Sequence, residues 1–459
     1  MANYQFKALL LNEGWMSPAF VSTDEKGNVN YLSQEQEDGK QYEVVDGFAI
    51  PGFQNAHSHA FQYAMAGIAE HHKKGSQADD FWSWREAMYK VALTIDPDQL
   101  EAIAAMLYAE MVRHGYTHVA EFHYLHHDKN GNPYSNIAEM GERLIAAAEQ
   151  AGIKITLVPM FYQKGGFGLE PQDHQRRFIS KSIEDYYALL SATEKLTNKA
   201  DHANHGFGIH SLRAVHPTDI KATLKEVNPS LPIHIHIAEQ LKEIEDSISY
   251  LGARPVEWLL GNNDVNDQFH LVHATHLTRE ETHGIAKSGA QVVLCPSTEG
   301  NLGDGLFPLD EYQNHGGKWS IGTDSQVGLN PLEELRLLDY GQRLITHRRN
   351  SFTGAEGGDS ALAAYHQALI AGRNAMGLSR KQYFELGRPL DAVVYRSTLP
   401  LLHGVNNENI LSTIVYSGDV SWNLGTIVNG NWVLRGSLHS RHESIHNSFY
   451  AAMNRLKIR

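Results

Sequence analysis

The chain of 459 residues carries 39 basic and 53 acidic side chains, and the resulting net charge of −14 repels phosphate backbones and anionic lipid headgroups. With 42% hydrophobic and 20% charged residues it has a globular balance, which excludes disordered and fibrous classes, and neither nucleic acid nor membrane is expected as a partner. One cysteine, Cys295, excludes an intrachain disulfide and any paired-cysteine zinc or redox motif, so a cytoplasmic location is expected.

The opening MANYQFKALLLNEGW lacks the basic flank and apolar run of a signal peptide, and no stretch nears about 18 apolar residues, so neither export nor a membrane span is expected. Residues 1–50 read as short β-type runs, FKALLL, FVST, NVNYL and YEVVDGFAI, broken by Gly, Asn and Asp. They predict the first part of a small β-domain. From 51 to 375, apolar runs rich in β-branched residues alternate with helical stretches: FAIPGFQNA, THVAEFH, KITLVPMF, HGFGIHS, PIHIHIA, FHLVHAT, QVVLCP and KWSIGTD. A helix over 97–114 is signalled by Asp96 as N-cap, Pro97 in the first turn, a stripe of Leu100, Ile103, Ala104, Leu107 and Met111, and Gly115 beyond. Eight such strands between helices predict an α/β chain built on a parallel (β/α)8 TIM-like barrel. The stretch 62–90 interrupts the alternation after the first strand and reads as a lid insertion over the barrel mouth. From 376 to 459, β-type runs return in DAVVYR, ILSTIV and GTIVNGNWVL, with Asn429-Gly430 as a hairpin turn, before a polar helix over roughly 440–457. They predict the rest of the small β-domain, folded together with residues 1–50.

Barrel active sites form where strands end at the C-terminal face, so the polar residues closing each run are the ones to weigh. His57 and His59 leave the first strand two residues apart and so on one face. The fifth ends in His234 and His236 with Glu239 just beyond, the sixth at His273, and the eighth at Asp324. Singly, each has a bland alternative as a solvated loop histidine, a core residue or a cap. Four strands of one barrel each closing on a ligand-type residue point instead to a metal site. A nitrogen and oxygen donor set with room for water suits zinc first, and iron or manganese also.

These segments, with FWSWRE, EFHYLHH, GIHSLRAV, HIHIAEQ and LCPSTEGNLGDG, resemble the deaminase branch of the amidohydrolase superfamily along essentially the whole chain. The resemblance implies a β-sandwich built from both chain ends, a homodimer, and metal ligands His57, His59, His236 and Asp324. It implies Glu239, His273 and Asp324 as catalytic residues. A Gly-Ile-His run stands where two-metal members carry a bridging lysine, so one Zn2+ per chain is expected. LGRPLDAVVY departs mildly from the family's usual return to the sandwich.

Within that branch the detailed likeness is to enzymes that hydrolyse N-formimidoyl-L-glutamate to N-formyl-L-glutamate and ammonia in histidine breakdown, with metal-activated water attacking the formimidoyl carbon. A dicarboxylate substrate needs fixed cations, and Arg85 and Arg213 qualify. The resemblance adds Gln62, Tyr124 and His210 to the substrate pocket. Three alternatives stand: deamination of a purine or pterin ring, cleavage of the other bond to glutamate and formamide, or a binding protein without catalysis. Trp82 and Trp84 are expected to pack. His71, His72, His126 and His127 are expected as exposed loop residues, and Cys295 as a buried inert thiol.

Overall fold

The protein is described from a computed structural model, which covers residues 1–68, 70, 81–353 and 357–456. The lid expected over 62–90 therefore falls partly outside the described residues, as do His71 and His72 and the side chain of Trp82. Within that stretch the structure places a short 3-10 helix, Ala60–Met65, and a helix, Phe81–Thr94.

Eight parallel strands form the barrel: β1 (Phe53–Ser58), β2 (Tyr116–His123), β3 (Lys154–Phe161), β4 (Phe207–Ser211), β5 (Ile233–Ile237), β6 (Phe269–His273), β7 (Gln291–Leu294) and β8 (Lys318–Ile321). Each pairs with its sequence neighbour, and Ser58 bridges in parallel to Asp324, bringing β8 back to β1. Strands β2 and β3 are buried along their whole length, as expected of a parallel sheet covered on both faces. The helix Pro97–Arg113 starts as its sequence predicts, with the Asp96 carboxylate accepting from the Gln99 amide at 2.8 Å.

Both chain ends build one further sheet. Asn3–Leu11 lies parallel to Glu43–Pro51 and antiparallel to Ala19–Thr23, while Ala392–Arg396 runs antiparallel to Glu43–Pro51 and leads on to Asn423–Val428 and Asn431–Arg435. The sheet curls into a sandwich: the Tyr4 ring meets Trp432 edge-on at 6.0 Å, and its hydroxyl donates to the Gly430 carbonyl at 2.9 Å. Asn429 and Gly430, at φ 48° and 72°, make the predicted hairpin turn.

Two expectations are corrected. FAIPGFQNA is not one barrel strand, because Phe48–Pro51 belongs to the terminal sheet and Phe53 opens the barrel. The change of sheet happens at Gly52, where a Cβ would stand 2.1 Å from Thr117 Cγ2, so only glycine lets the barrel come this close. ILSTIV is a helix, Ile410–Ser417, rather than a strand; its buried Ile410, Leu411, Ile414 and Val415 follow helical spacing. No helix among the described residues is long and apolar enough to cross a membrane.

Burial pushes the imidazoles of His118 and His123 down to about 3 and that of His234 to about 4. Unfolded, each takes a proton below about pH 6.5, a proton that the folded chain refuses until far lower pH, so each lowers stability as pH falls through that window. His123→Phe should therefore flatten the decline below pH 6 by about 1.4 kcal/mol per pH unit, measured by urea denaturation from pH 6 to 4.5. Parallel wild-type and mutant slopes would show that His123 is not neutral in the fold.

Candidate metal centre and catalytic cavity

At the C-terminal end of the barrel, β1, β5 and the turn after β8 bring together His57, His59, His236 and Asp324, all buried and with ligand atoms within 4.8 Å of one another. His57 Nε2 stands 3.1 Å from Nε2 of both His59 and His236, and 3.2 Å from Asp324 Oδ1. His59 Nδ1 donates to the Phe122 carbonyl at 2.9 Å, and His236 Nδ1 to the His210 carbonyl at 2.7 Å. A carbonyl only accepts, so both rings carry their proton on Nδ1 and present bare lone pairs at Nε2. Burial pushes all three imidazoles below their ordinary value and keeps them neutral. One N–H on His57 could serve one of the three acceptors around it, whereas a divalent cation serves all four donors. The donor set fits such a cation.

The backbone is strained where the strands end. Ala238, His273, Ala274, Asp324 and Gln326 all have φ between 44° and 68°, the left-handed region that non-glycine residues rarely occupy. Hydrogen bonds hold them there. The His57 carbonyl accepts from the amides of both Thr323 and Asp324 at 3.0 Å, and Ala274 N donates to the Ile237 carbonyl at 3.0 Å. Behind the candidate ligands runs a buried polar belt. Asn55 Nδ2 donates to Thr323 Oγ1 at 2.8 Å, which donates to Gln326 Oε1 at 2.8 Å. Gln326 Nε2 donates to Ser58 Oγ at 3.0 Å, and that hydroxyl donates to Glu121 Oε2 at 2.7 Å.

His59, His236 and Asp324 open onto a cavity that is also lined by Gln62, Arg85, Tyr124, His210, Arg213, Glu239 and His273. Every residue proposed from sequence for catalysis or substrate binding thus faces the same space. Gln62 Nε2 donates to the Tyr124 hydroxyl at 2.9 Å, and Arg85 reaches Tyr162 and lies over the Tyr89 ring. Glu239 Oε1 stands 3.8 Å from His273 Nε2, and Glu239 Oε2 stands 3.9 Å from Arg213 Nη2. Burial pushes the Glu239 carboxyl up, against the pull of His273 and Arg213. For His273, burial acts downward, but the carboxylates of Glu239, Glu299 and Asp324 prevail and lift it to about 10.

Some residues stand elsewhere. His234, on the same face as His236, lies deeper, with Nε2 on the Ala375 carbonyl at 2.9 Å. His126 and His127 are not exposed: the first is buried and the second half-buried, because the segment through Arg177 covers their loop and Arg177 donates to the His127 carbonyl. Cys295 is fully buried, and burial raises its thiol, as an inert role requires. Trp84 packs on the core and also lines the cavity. Glu299 went unread in the sequence, although its Oε1 fixes His273 Nδ1 at 3.3 Å and the Cys295 amide at 2.8 Å. Its signal was a lone glutamate five residues past the end of β7.

Thr323→Val keeps the shape but leaves the Asn55 amide and Gln326 Oε1 without their shared hydroxyl. Each buried polar group stranded this way costs about 1–3 kcal/mol, so the variant should unfold at lower urea and bind metal more weakly. Unchanged midpoint and metal affinity would show that the belt does not hold the ligands.

Residues 48–433 match the amidohydrolase family. Formimidoylglutamate deiminase of Pseudomonas aeruginosa is 40% identical over 451 residues, covering 97% of this chain and 98% of that protein. The crystal structure of an amidohydrolase from Brucella melitensis matches with a TM-score of 0.92 at 39% identity, across 99% of this chain and all of that one (100%). An adenosine deaminase from Xanthomonas campestris with bound zinc matches at a TM-score of 0.79 and 19% identity, across 99% and 98% of the two chains, a likeness of fold alone. With the family match spanning the barrel and the C-terminal strands of the terminal sheet, the chain belongs to the amidohydrolase family.

Proposed function

We propose that the chain hydrolyses N-formimidoyl-L-glutamate to N-formyl-L-glutamate and ammonia. The observation that carries this reading is the pair of guanidinium groups lining the cavity, Arg85 and Arg213: with Glu243 at 3.5 Å and Glu239 at 3.9 Å, the buried Arg213 still keeps Nε and Nη1 without hydrogen-bond partners, N–H groups that a substrate carboxylate can take. A neutral purine or pterin ring brings no carboxylate to those N–H groups.

In this reading His57, His59, His236 and Asp324 hold one zinc ion, which when bound supplies Lewis-acid polarisation and lowers the pKa of a water. Asp324, with Oδ2 3.9 Å from His273 Nε2, receives the proton the water gives up. Glu239 carries a proton to the terminal nitrogen of the formimidoyl group. His273, held cationic by its carboxylates and oriented by Glu299, donates from Nε2 to the charge that develops on the tetrahedral adduct. The new C–O bond turns the C=N bond single; the water's two protons, one by way of Asp324 and one from the adduct's hydroxyl, end on the terminal nitrogen, whose C–N bond breaks as the C–O bond becomes double, and ammonia leaves. Arg85 and Arg213 bind the two carboxylates, while Gln62, Tyr124 and His210 shape the pocket between them. We place the reaction in the cytoplasm, which a chain with one buried cysteine suits.

We further propose a homodimer. The helix Pro331–Thr346 exposes Leu337, Tyr340, Leu344 and Ile345, which fall on one face and suit a second copy. Light scattering at twice the chain mass supports this, and a monomer's mass overturns it.

Mass spectrometry of the products from formimidoylglutamate tests the reaction. Formylglutamate and ammonia are expected; formamide and glutamate, or no turnover alongside deamination of a purine, would refute it. Glu239→Gln should lower turnover by about 10²-fold to 10⁴-fold with metal content unchanged. Loss of metal in that variant would make Glu239 a ligand instead.

A further inference from the structure

The opposite, N-terminal end of the barrel holds a second cavity, between the barrel and the terminal sheet, lined among others by Gly52, Gln54, His118, Arg373, Arg380 and Asp391. Its positive charge exceeds what surrounds it. Arg373 is buried and meets only neutral partners, its Nη1 donating to the Gln382 carbonyl at 2.6 Å and its Nη2 to the Tyr383 carbonyl at 3.1 Å. Arg380 keeps its buried Nε without any hydrogen-bond partner. The carboxylate within reach is already engaged, since Asp391 Oδ2 takes Lys154 Nζ at 2.5 Å and Oδ1 takes the Asn429 amide at 2.9 Å. Glu385, on the exposed rim, faces Arg388 at 3.9 Å. Among the described residues, neither Arg373 nor Arg380 makes an ion pair.

Two neighbouring guanidinium groups whose nearby carboxylate, Asp391, is shared with Lys154 remain in excess of negative charge, which is costly in a partly dry cavity. Burial, and then the Arg380 charge beside it, pulls Arg373 down to about 10. The concentration of cations is local, since the whole chain carries −14. Planar guanidinium forks match oxyanions, offering parallel N–H donors to two oxygens at once.

We propose that this cavity is a binding site for a small oxyanion, a phosphate or a single carboxylate group, held by Arg373 and Arg380. The site lies at the opposite barrel end from the catalytic cavity, and its occupant touches the start of β1, the start of β2 and the 380–391 segment leading into the terminal sheet. Its effect is to clamp barrel to sheet, so the readout is stability rather than turnover.

The test is thermal unfolding of the metal-loaded full chain, titrated with low-millimolar sodium phosphate or sodium succinate against sodium chloride of equal ionic strength. A saturable rise in Tm is expected with at least one oxyanion, and which one acts identifies the source. Arg380→Met should abolish the rise, and Arg380→Lys, which keeps the charge without the fork, should weaken the apparent affinity by about 10-fold. Arg213→Met should leave the phosphate response intact, because Arg213 faces the other cavity. Should Arg380→Met fail to fold, the Arg380→Lys titration decides alone. No rise beyond chloride with either anion, a rise unchanged by both Arg380 variants, or a rise lost in Arg213→Met would each overturn the proposal.

Discussion

The site depends on the closure of the barrel between its first and last strands. His57 and His59 arrive on β1 and Asp324 on the turn after β8, so these candidate ligands meet only if that seam is held in register. Backbone bonds from Thr323 and Asp324 to the His57 carbonyl set the register. The Asn55, Thr323, Gln326, Ser58 and Glu121 belt then locks it from behind, in a setting where every unmade hydrogen bond is expensive. The left-handed backbone at Asp324 and Gln326 is the strain that this bonding sustains, and it aims a carboxylate at three neutral imidazoles.

Charge in the cavity is organised around that centre. Histidines whose Nδ1 protons are spent on carbonyls are presented as neutral donors, whereas His273, ringed by Glu239, Glu299 and Asp324, is kept cationic in the same buried space. Environment alone separates neutral imidazoles from a cationic one among residues of one type. Glu239 lies between His273 and Arg213, where burial raises its carboxyl and both cations restrain it.

Much of this was legible in the sequence because the barrel converts strand periodicity into geometry. A period of two puts His57 and His59 on one face, and strand ends put His236, His273 and Asp324 at the same mouth. Glu299 was not legible, since its role comes from the helix Pro296–Leu302 folding its side chain back onto His273. Gln326 and Thr323 were equally silent, as polar residues in a turn have no pattern until the seam is closed. The burial of His126 was missed because a loop is covered by a segment some 50 residues away, around Arg177. Six residues at 410–415, four of them apolar, carry too short a period to separate strand from helix, and tertiary packing decided for the helix.

X-ray absorption at the zinc edge of the purified, zinc-loaded protein tests the central claim most directly. One ion per chain is expected, with a shell of nitrogen and oxygen at about 2.0–2.1 Å and the outer scattering of three imidazoles. A sulfur in the shell, which Cys295 alone could supply without a methionine, or scattering from a second ion would contradict it.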